Sequence, residues 1–397
     1  MNVCIFTGVI SLDKNNSDVR KKYLLERIRY FGNKNVNLKI LSPMSSNVDY
    51  IGANNLCYNH YFFINRKGFK LLSLIFSVPK LVTLDCDILH CLNYQSFFIA
   101  NFVNFFRKSR YLILFESMGL AYAESIVGSK GSIKVKILSP IITFLEREAF
   151  KKSDSVVVYT EILKEFAADH FNIKMDKISV VPHGVSLDTK DFTGFKIVDL
   201  LVDLPHKKPI VMYVGLLSKL HGTPYLMKIA LELSIKRPNI FIMVLGTGPL
   251  KNQFERFIKE YKLTNIILTG YIPSEKVPMY LHMADVLLIP HSKCLQTELD
   301  PPTKLFEYLK AGKPIVSFDF KAISEIVGDI AVLVEPDNPS KFVDGVIEVL
   351  DNNKYYLELA QKAKLIVDQY SWKVAAEKQF NAYTNLAKKH NFSDKTK

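Results

Sequence analysis

The chain has 397 residues, 48% of them hydrophobic and 23% charged, with a formal net charge of +13. That is enough apolar chain for two cored domains, and it excludes a disordered or low-complexity protein. The charge is uneven: residues 1–190 hold 25 Lys and Arg against 16 Asp and Glu. This points to a membrane surface, a phosphorylated substrate or nucleic acid as partner, with a merely basic soluble protein as the plain alternative.

The opening MNVCIFTGVI has no charged leader region or cleavage site and reads as a first strand, not a signal peptide. Short apolar runs then alternate with longer amphipathic ones. Strands are expected at Val3–Phe6, Leu38–Leu41, Ile88–Leu92, Tyr111–Phe115, Ser155–Tyr159 and Ile178–Val181, with helices over 18–32, 69–83, 94–107, 133–151 and 160–171. Pro182-His183-Gly184 closes this series, and a polar, weakly patterned stretch runs to about Lys208. The alternation restarts with strands at Ile210–Val214, Ile240–Leu245, Ile266–Leu268, Val286–Ile289, Pro314–Ser317 and Ala331–Val334. Helices over 223–236, 250–262, 274–283, 302–311, 321–327 and 338–351 separate them, and 353–390 reads as helical.

Continuous apolar strands divided by helices indicate parallel sheets covered on both faces. The expected architecture is therefore α/β: one doubly wound domain over 1–185, a linker over 186–208 and a second domain over 209–371. In such sheets ligands bind beyond the carboxyl ends of the strands, so two facing domains would enclose a cleft. The longest apolar stretches, 68–84 and 94–106, fall short of the roughly 18–20 residues a membrane span needs. Cys4, Cys57, Cys86, Cys91 and Cys294 form no CxxC pair and read as reduced, buried thiols in a cytoplasmic protein.

Several motifs fall at strand ends. In PPTKLFEYLKAGKP (301–314), Pro302 suits a first helical position, Gly312 a left-handed cap, and Pro314 blocks continuation. At 100° per residue Leu305, Phe306 and Leu309 share one face, with Lys304, Glu307, Tyr308 and Ala311 opposite. The plain reading is a solvated ion pair. The functional reading is an anion site in which the helix N-terminus and Lys304 attract phosphate while Glu307 accepts from two adjacent hydroxyls, as a ribose diphosphate would present.

YVGLLSKLHG (213–222) offers Gly215 and Gly222 for close backbone approach, and Lys219 and His221 as phosphate contacts. VLGTGPL (244–250) has Gly246 and Gly248 but lacks the third glycine of a dinucleotide fingerprint, which disfavours a nicotinamide enzyme. Asp85-x-Asp87 could suggest a metal pair but sits at the amino end of a strand, so a polar turn is preferred. His90, Asn93 and Glu116 follow strands at the ligand-binding end.

Together these pieces resemble the GT-B glycosyltransferases, in particular their family four of retaining, nucleotide-sugar-dependent enzymes. The resemblance covers nearly the whole chain and is strongest over 177–370. It rests on KISVVPHGVSLDTKDF, YVGLLSKLHG, the run from VLGTGPL to VLLIP, PPTKLFEYLKAGKPIVSFD and YSWKVAAEKQFNAY, with SDVRKKYLLERI (17–28) in the first half. The family's terminal helix crosses back to the N-domain, which assigns 372–390 to that role here.

The resemblance implies that Glu307 binds the donor ribose, and that Thr303, Lys304 and Leu305 face the donor phosphates. It places the turn Gly270–Pro273, with Ile272 and Pro273, beside the nucleobase, and His221 and Gly222 beside the diphosphate; Gly215, Lys219 and Gly248 are further donor-binding candidates. Leu216 and His221 stand where many members carry Arg and Lys, and His183 replaces a usual Asn. Leu299 occupies the place of a first glutamate, so Glu298 and Asp300 are both candidates for the sugar. Glu116 falls nearest the family's frequent catalytic histidine. Asp18, Arg20, His90 and Asn93 are expected on the acceptor side.

The implied activity is transfer of a sugar, with retention and without a metal or other cofactor. It runs from a nucleotide diphosphate sugar to a glycan or lipid-linked acceptor in surface polysaccharide biosynthesis. A GT-B sugar-nucleotide epimerase and a catalytically silent scaffold are the rivals. Nucleic acid is disfavoured because the basic residues are dispersed and no recognised module is present. Arg20, Lys21 and Lys22, with the helix 133–151, are expected to meet an anionic cytoplasmic leaflet.

Overall fold

The computed structural model describes residues 1–8, 10, 12, 19–31, 36–43, 56–61, 72–117, 119–120, 123, 133–187 and 208–390. They fall into two compact units, one ending its main run at Gly184 and resuming at Ser371, the other built on Val185–Tyr370.

The first unit carries β1 (Asn2–Phe6), α1 (Val19–Arg29), β2 (Asn37–Pro43), β3 (Leu56–Tyr61), α2 (Val78–Thr83), β4 (Ile88–Cys91) and α3 (Tyr94–Phe106). β5 (Leu112–Glu116), α4 (Ile133–Lys152), β6 (Ser155–Val158), α5 (Glu161–Phe171) and β7 (Ile178–Val180) follow, and a 3-10 turn, Leu72–Ser77, leads into α2. The sheet is parallel throughout in the order β3-β2-β1-β4-β5-β6-β7, so the winding reverses between β1 and β4. Every residue of β4, β5 and β6 is buried, which is why those strands read as unbroken apolar runs. β3, LCYNHY, was not expected: as an edge strand it pairs on one side only and needs no continuous apolar face. Its Cys57 is exposed, not buried as expected.

The second unit carries β8 (Ile210–Val214), α6 (Thr223–Lys236), β9 (Phe241–Leu245), α7 (Lys251–Glu260), β10 (Ile266–Gly270), α8 (Val277–Met283) and β11 (Val286–Ile289). α9 (Leu295–Leu299), α10 (Lys304–Ala311), β12 (Ile315–Phe318), α11 (Lys321–Val327), β13 (Val332–Val334), α12 (Pro339–Asp351) and α13 (Asn353–Val367) complete it. Its parallel order is β10-β9-β8-β11-β12-β13, reversing between β8 and β11. Leu305, Phe306 and Leu309 of α10 enter its core as expected. Burying a side chain such as Phe306 stabilises by about 1.5–3 kcal/mol. α9 is a single short turn, closed by a Cys294–Thr297 capping box that the apolar pattern did not signal.

The final helix, α14 (Trp372–Lys389), belongs to the first unit and packs on α1 and on β5, β6 and β7. Ser371 caps it by accepting from the Val374 N–H, and Trp372, Ala375, Ala382, Tyr383 and Leu386 join the first core. A Cβ on Gly184 would lie 2.1 Å from the Trp372 ring, so only glycine admits that ring. Most of the expected linker, residues 188–207, lies outside the described residues.

Lys21 is buried, contrary to its expected place on a membrane-facing cluster, because its position on α1 turns inward with Leu24 and Leu25. The side chains of Arg20 and Lys22 lie outside the described residues, as does Asp18 altogether. Among the described residues no helix is long and apolar enough to cross a membrane.

Candidate functional site

The second unit gathers three loops at the carboxyl ends of its strands, around the β8/β11 reversal. Gly222 has φ +76°, and a Cβ there would fall 1.5 Å from the Pro290 carbonyl oxygen, so the loop after β8 locks against the loop after β11. Gly215 has φ +145°, and its missing Cβ leaves room for Lys304, whose Nζ lies 2.5 Å from where that atom would be. Lys304 reaches this point from the first turn of α10.

The sequence reading put Lys304 and Tyr308 on the helix face opposite Leu305, Phe306 and Leu309; both are buried, which the solvated alternative does not allow. Tyr308 holds the end of β8, its hydroxyl accepting from the Val214 N–H at 2.9 Å. Lys304 Nζ sits 4.0 Å from the centroid of the Tyr213 ring and has no hydrogen-bond partner. Tyr213 is itself fixed by donating to the Leu216 carbonyl at 2.9 Å. Burial pushes the Lys304 ammonium down to about 7, against a weaker opposite pull from Glu307. A buried ammonium with only a ring face for company is costly unless an anion joins it.

Two more buried polar atoms nearby lack partners: Nδ1 of His291 and Oγ1 of Thr223, the first residue of α6. The His291 ring lies 5.2 Å from that of His221, whose Nδ1 is 2.8 Å from Ser218 Oγ. Burial and then the Lys304 charge hold His221 down at about 3 and His291 well below the ordinary imidazole range. Both rings are therefore neutral at pH 7 and can serve as hydrogen-bond donors or acceptors without adding charge. His291 and Thr223 were missed by the sequence reading. The rule that ligands meet loops after strands would have flagged His291, which follows β11 directly.

The other expected donor contacts are dispersed around these loops. Lys219 is exposed, Ile272 buried, and Gly248, Pro273 and Thr303 half-buried. Leu305 faces the core, so only its backbone remains for a ligand. Glu307 is half-buried, one helical turn beyond Thr303. Glu298 is turned to the amino end of α11, accepting from the Lys321 N–H at 3.2 Å, and Asp300 accepts from the Gln296 side chain at 3.0 Å. Leu299 between them is buried.

In the first unit the candidates meet a different fate. Glu116 was expected to project from the end of β5 as a working carboxylate. It is wholly buried, with Arg27 of α1 donating to both its oxygens at 2.8 and 3.0 Å and the Tyr159 hydroxyl donating at 3.0 Å. His90 Nε2 approaches it at 2.9 Å without the alignment of a hydrogen bond, while His90 Nδ1 lies 2.8 Å from the Tyr383 hydroxyl. Arg27 also donates to Gln379 of α14 at 3.1 Å.

Burial alone would raise the Glu116 carboxyl, but Arg27 and His90 pull it down to about 2; burial lowers His90. Glu116 and His90 are thus buried where they tie α1, β4, β5 and α14 together. Asn93 caps α3, accepting from the Ser96 N–H at 2.8 Å, and its amide donates to the Thr7 carbonyl at 3.3 Å. That places it at the β1/β4 reversal, against Gly8, where the first sheet would receive a ligand. Asp87, of the apparent metal pair, accepts from the Asn2 N–H at 2.8 Å, as a turn residue does.

Two Rossmann-like domains in one chain, each a parallel sheet with a winding reversal, define the GT-B class of fold. Family models agree. Residues 21–189 match "Glycosyltransferase Family 4", and residues 202–366 match "Glycosyl transferases group 1". A 2-deoxystreptamine glucosyltransferase of Streptomyces kanamyceticus is 25% identical over 59% of this chain and 61% of its own length. A glycosyltransferase of Bacillus subtilis named for teichuronic acid biosynthesis is 23% identical over 57% of this chain and 56% of its own. The chain thus spans under two thirds of the curated relatives it matches. The Anabaena protein HepE, solved with UDP, has a TM-score of 0.70 at 12% identity, covering 97% of this chain and 100% of its own. The chain belongs to the GT-B glycosyltransferases and resembles their family four.

Proposed function

We propose that the protein transfers a sugar, with retention, from a nucleotide diphosphate sugar to a glycan or lipid-linked acceptor in surface polysaccharide biosynthesis. The observation that carries this reading is the Lys304 ammonium, buried against Tyr213 without a partner at the β8/β11 reversal. A diphosphate there would supply the missing anion, with His291 and Thr223 beside it as hydrogen-bonding groups. Glu307 would take the ribose hydroxyls, and the loop at Ile272 and Pro273 would flank the base. Polysaccharide assembly as the setting is supported by the Bacillus relative.

In this reading the bond from the anomeric carbon to the diphosphate oxygen breaks as the acceptor oxygen bonds to the same face. The acceptor proton passes to the leaving diphosphate. The pairing of Glu116 with Arg27 supports assigning the proton to the diphosphate rather than to that carboxylate. The protein's contribution is to position the reactants and stabilise charge on the departing diphosphate, which Lys304 and the neighbouring donors can do without a metal.

Thermal-shift measurements with UDP-, GDP-, ADP-, CMP- and dTDP-sugars test the reading. At least one should stabilise the wild-type protein, and Lys304→Met should abolish that shift. A wild-type protein indifferent to all five would favour the silent scaffold. A shift with no acceptor-dependent nucleotide release would favour the epimerase.

A further inference from the structure

Helix α3 packs against both α2 and α4, and its two faces differ sharply. Phe97, Ala100 and Val103 are buried against the sheet, whereas Phe102, Phe105 and Phe106 are 56%, 85% and 67% exposed. These three rings touch one another, with centroids 5.1 Å apart for Phe102–Phe106 and for Phe105–Phe106. The neighbouring helices continue the apolar surface. α4 exposes Leu138, Ile141 and Phe144, at i, i+3 and i+6 on one face, and α2 exposes Val82. Single exposed apolar residues are ordinary, but a ring cluster on one helix with exposed apolar residues on both helices packed against it marks a docking surface.

The charge pattern selects the occupant. α2 and α3 contain no carboxylate, and of the two on α4, Glu146 is buried and Glu148 is paired with Lys152 at 3.0 Å. Lys80 on α2, Lys108 two residues past Phe106 and Arg147 three residues past Phe144 are exposed. Two copies of this face set against each other would oppose bases to bases. An anionic surface with an apolar interior satisfies both the rings and the bases.

We propose that the outer face of α2, α3 and α4 docks on an anionic lipid bilayer. Phe102, Phe105 and Phe106 enter the boundary between headgroups and acyl chains, and Lys80, Lys108 and Arg147 meet lipid phosphates. This keeps the 133–151 helix of the sequence expectation but moves the basic contact away from Arg20–Lys22. The docking surface belongs to the first unit and does not depend on donor binding by the second.

Flotation of the full-length protein with phosphatidylcholine vesicles, with and without phosphatidylglycerol, tests it. The wild-type protein should float with the anionic vesicles, less so as salt rises, and only weakly with the neutral ones. The triple variant Phe102→Ser, Phe105→Ser, Phe106→Ser should bind anionic vesicles at least tenfold more weakly. Lys108→Glu with Arg147→Glu should lose the anionic preference. No flotation of the wild-type protein, or variants that float as it does, would overturn the proposal; binding to a protein partner alone would leave all vesicles unoccupied. Unchanged urea midpoints certify the fold of each variant. A nucleotide-sugar thermal shift, read in parallel, reports separately on the second unit.

Discussion

Lys304 is the residue on which the site turns. Its ammonium ordinarily titrates near 10.5, and burial has brought it down to about 7. The unfolded chain therefore binds more protons than the folded one between about pH 7 and 10.5, so this residue's burial penalty is relieved as pH rises through that window. Donor binding has the opposite sign: a diphosphate favours the charged form, so above pH 7 binding must take up a proton. Donor affinity is expected to fall as pH rises from 7, by up to about tenfold per unit. Calorimetry at pH 6.5 and 8.5 in buffers of different ionisation heat would detect the uptake. Lys304→Met should remove the pH dependence and weaken binding at least tenfold, about 1.4 kcal/mol.

Glu116 makes the contrasting residue-scale prediction. Its folded carboxyl is held at about 2, below the ordinary value, so its stabilisation is present above that ordinary value and is lost as pH falls through about 2. Glu116→Gln leaves Arg27 buried without its counter-charge and should cost about 3–5 kcal/mol in urea denaturation. The donor-induced thermal shift should survive. A variant of normal stability but abolished turnover would show that Glu116 works in catalysis after all.

At the scale of elements, the pocket exists because loops after β8 and β11 interlock through glycines and because Tyr308 ties α10 to the end of β8. Tyr308→Phe removes the acceptor of the Val214 N–H and should destabilise by about 1–3 kcal/mol, the cost of an unmet buried donor. Gly222→Ala should be worse for the site than for the fold. Its Cβ would strike the Pro290 carbonyl, which is backbone and cannot rotate away, so the two loops must part. The expected readout is loss of the nucleotide-sugar thermal shift with far-UV circular dichroism retained.

At the scale of the whole molecule, the chain returns from the second unit to complete the first. Trp372 fills the space left by Gly184 and packs against Tyr23, ring centroids 5.1 Å apart. Trp372→Ala should cost about 3–5 kcal/mol. Hydrogen exchange would localise the loss to β5, β6, β7 and α14, with β8–β13 protected as before. Equal loss of protection in both units would contradict the assignment of α14 to the first core.

Most of the architecture was legible in the sequence because fully buried parallel strands must be unbroken apolar runs, and VLLI or SVVV can be little else. Edge strand β3 and the one-turn helix α9 escaped because neither needs such a pattern. The helix within PPTKLFEYLKAGKP and its Gly312 cap were also legible, since caps, prolines and spacing are local properties. What only the tertiary structure decided was the environment of each charge. Lys304 and Glu116 look alike in sequence: each is a charged residue at an element's end, on the ligand side of its sheet. Folding gave Glu116 an arginine from α1, 89 residues away, and gave Lys304 only the face of Tyr213. Electrostatic roles depend on partners brought together from distant parts of the chain and on the water removed around them, and no local pattern encodes either.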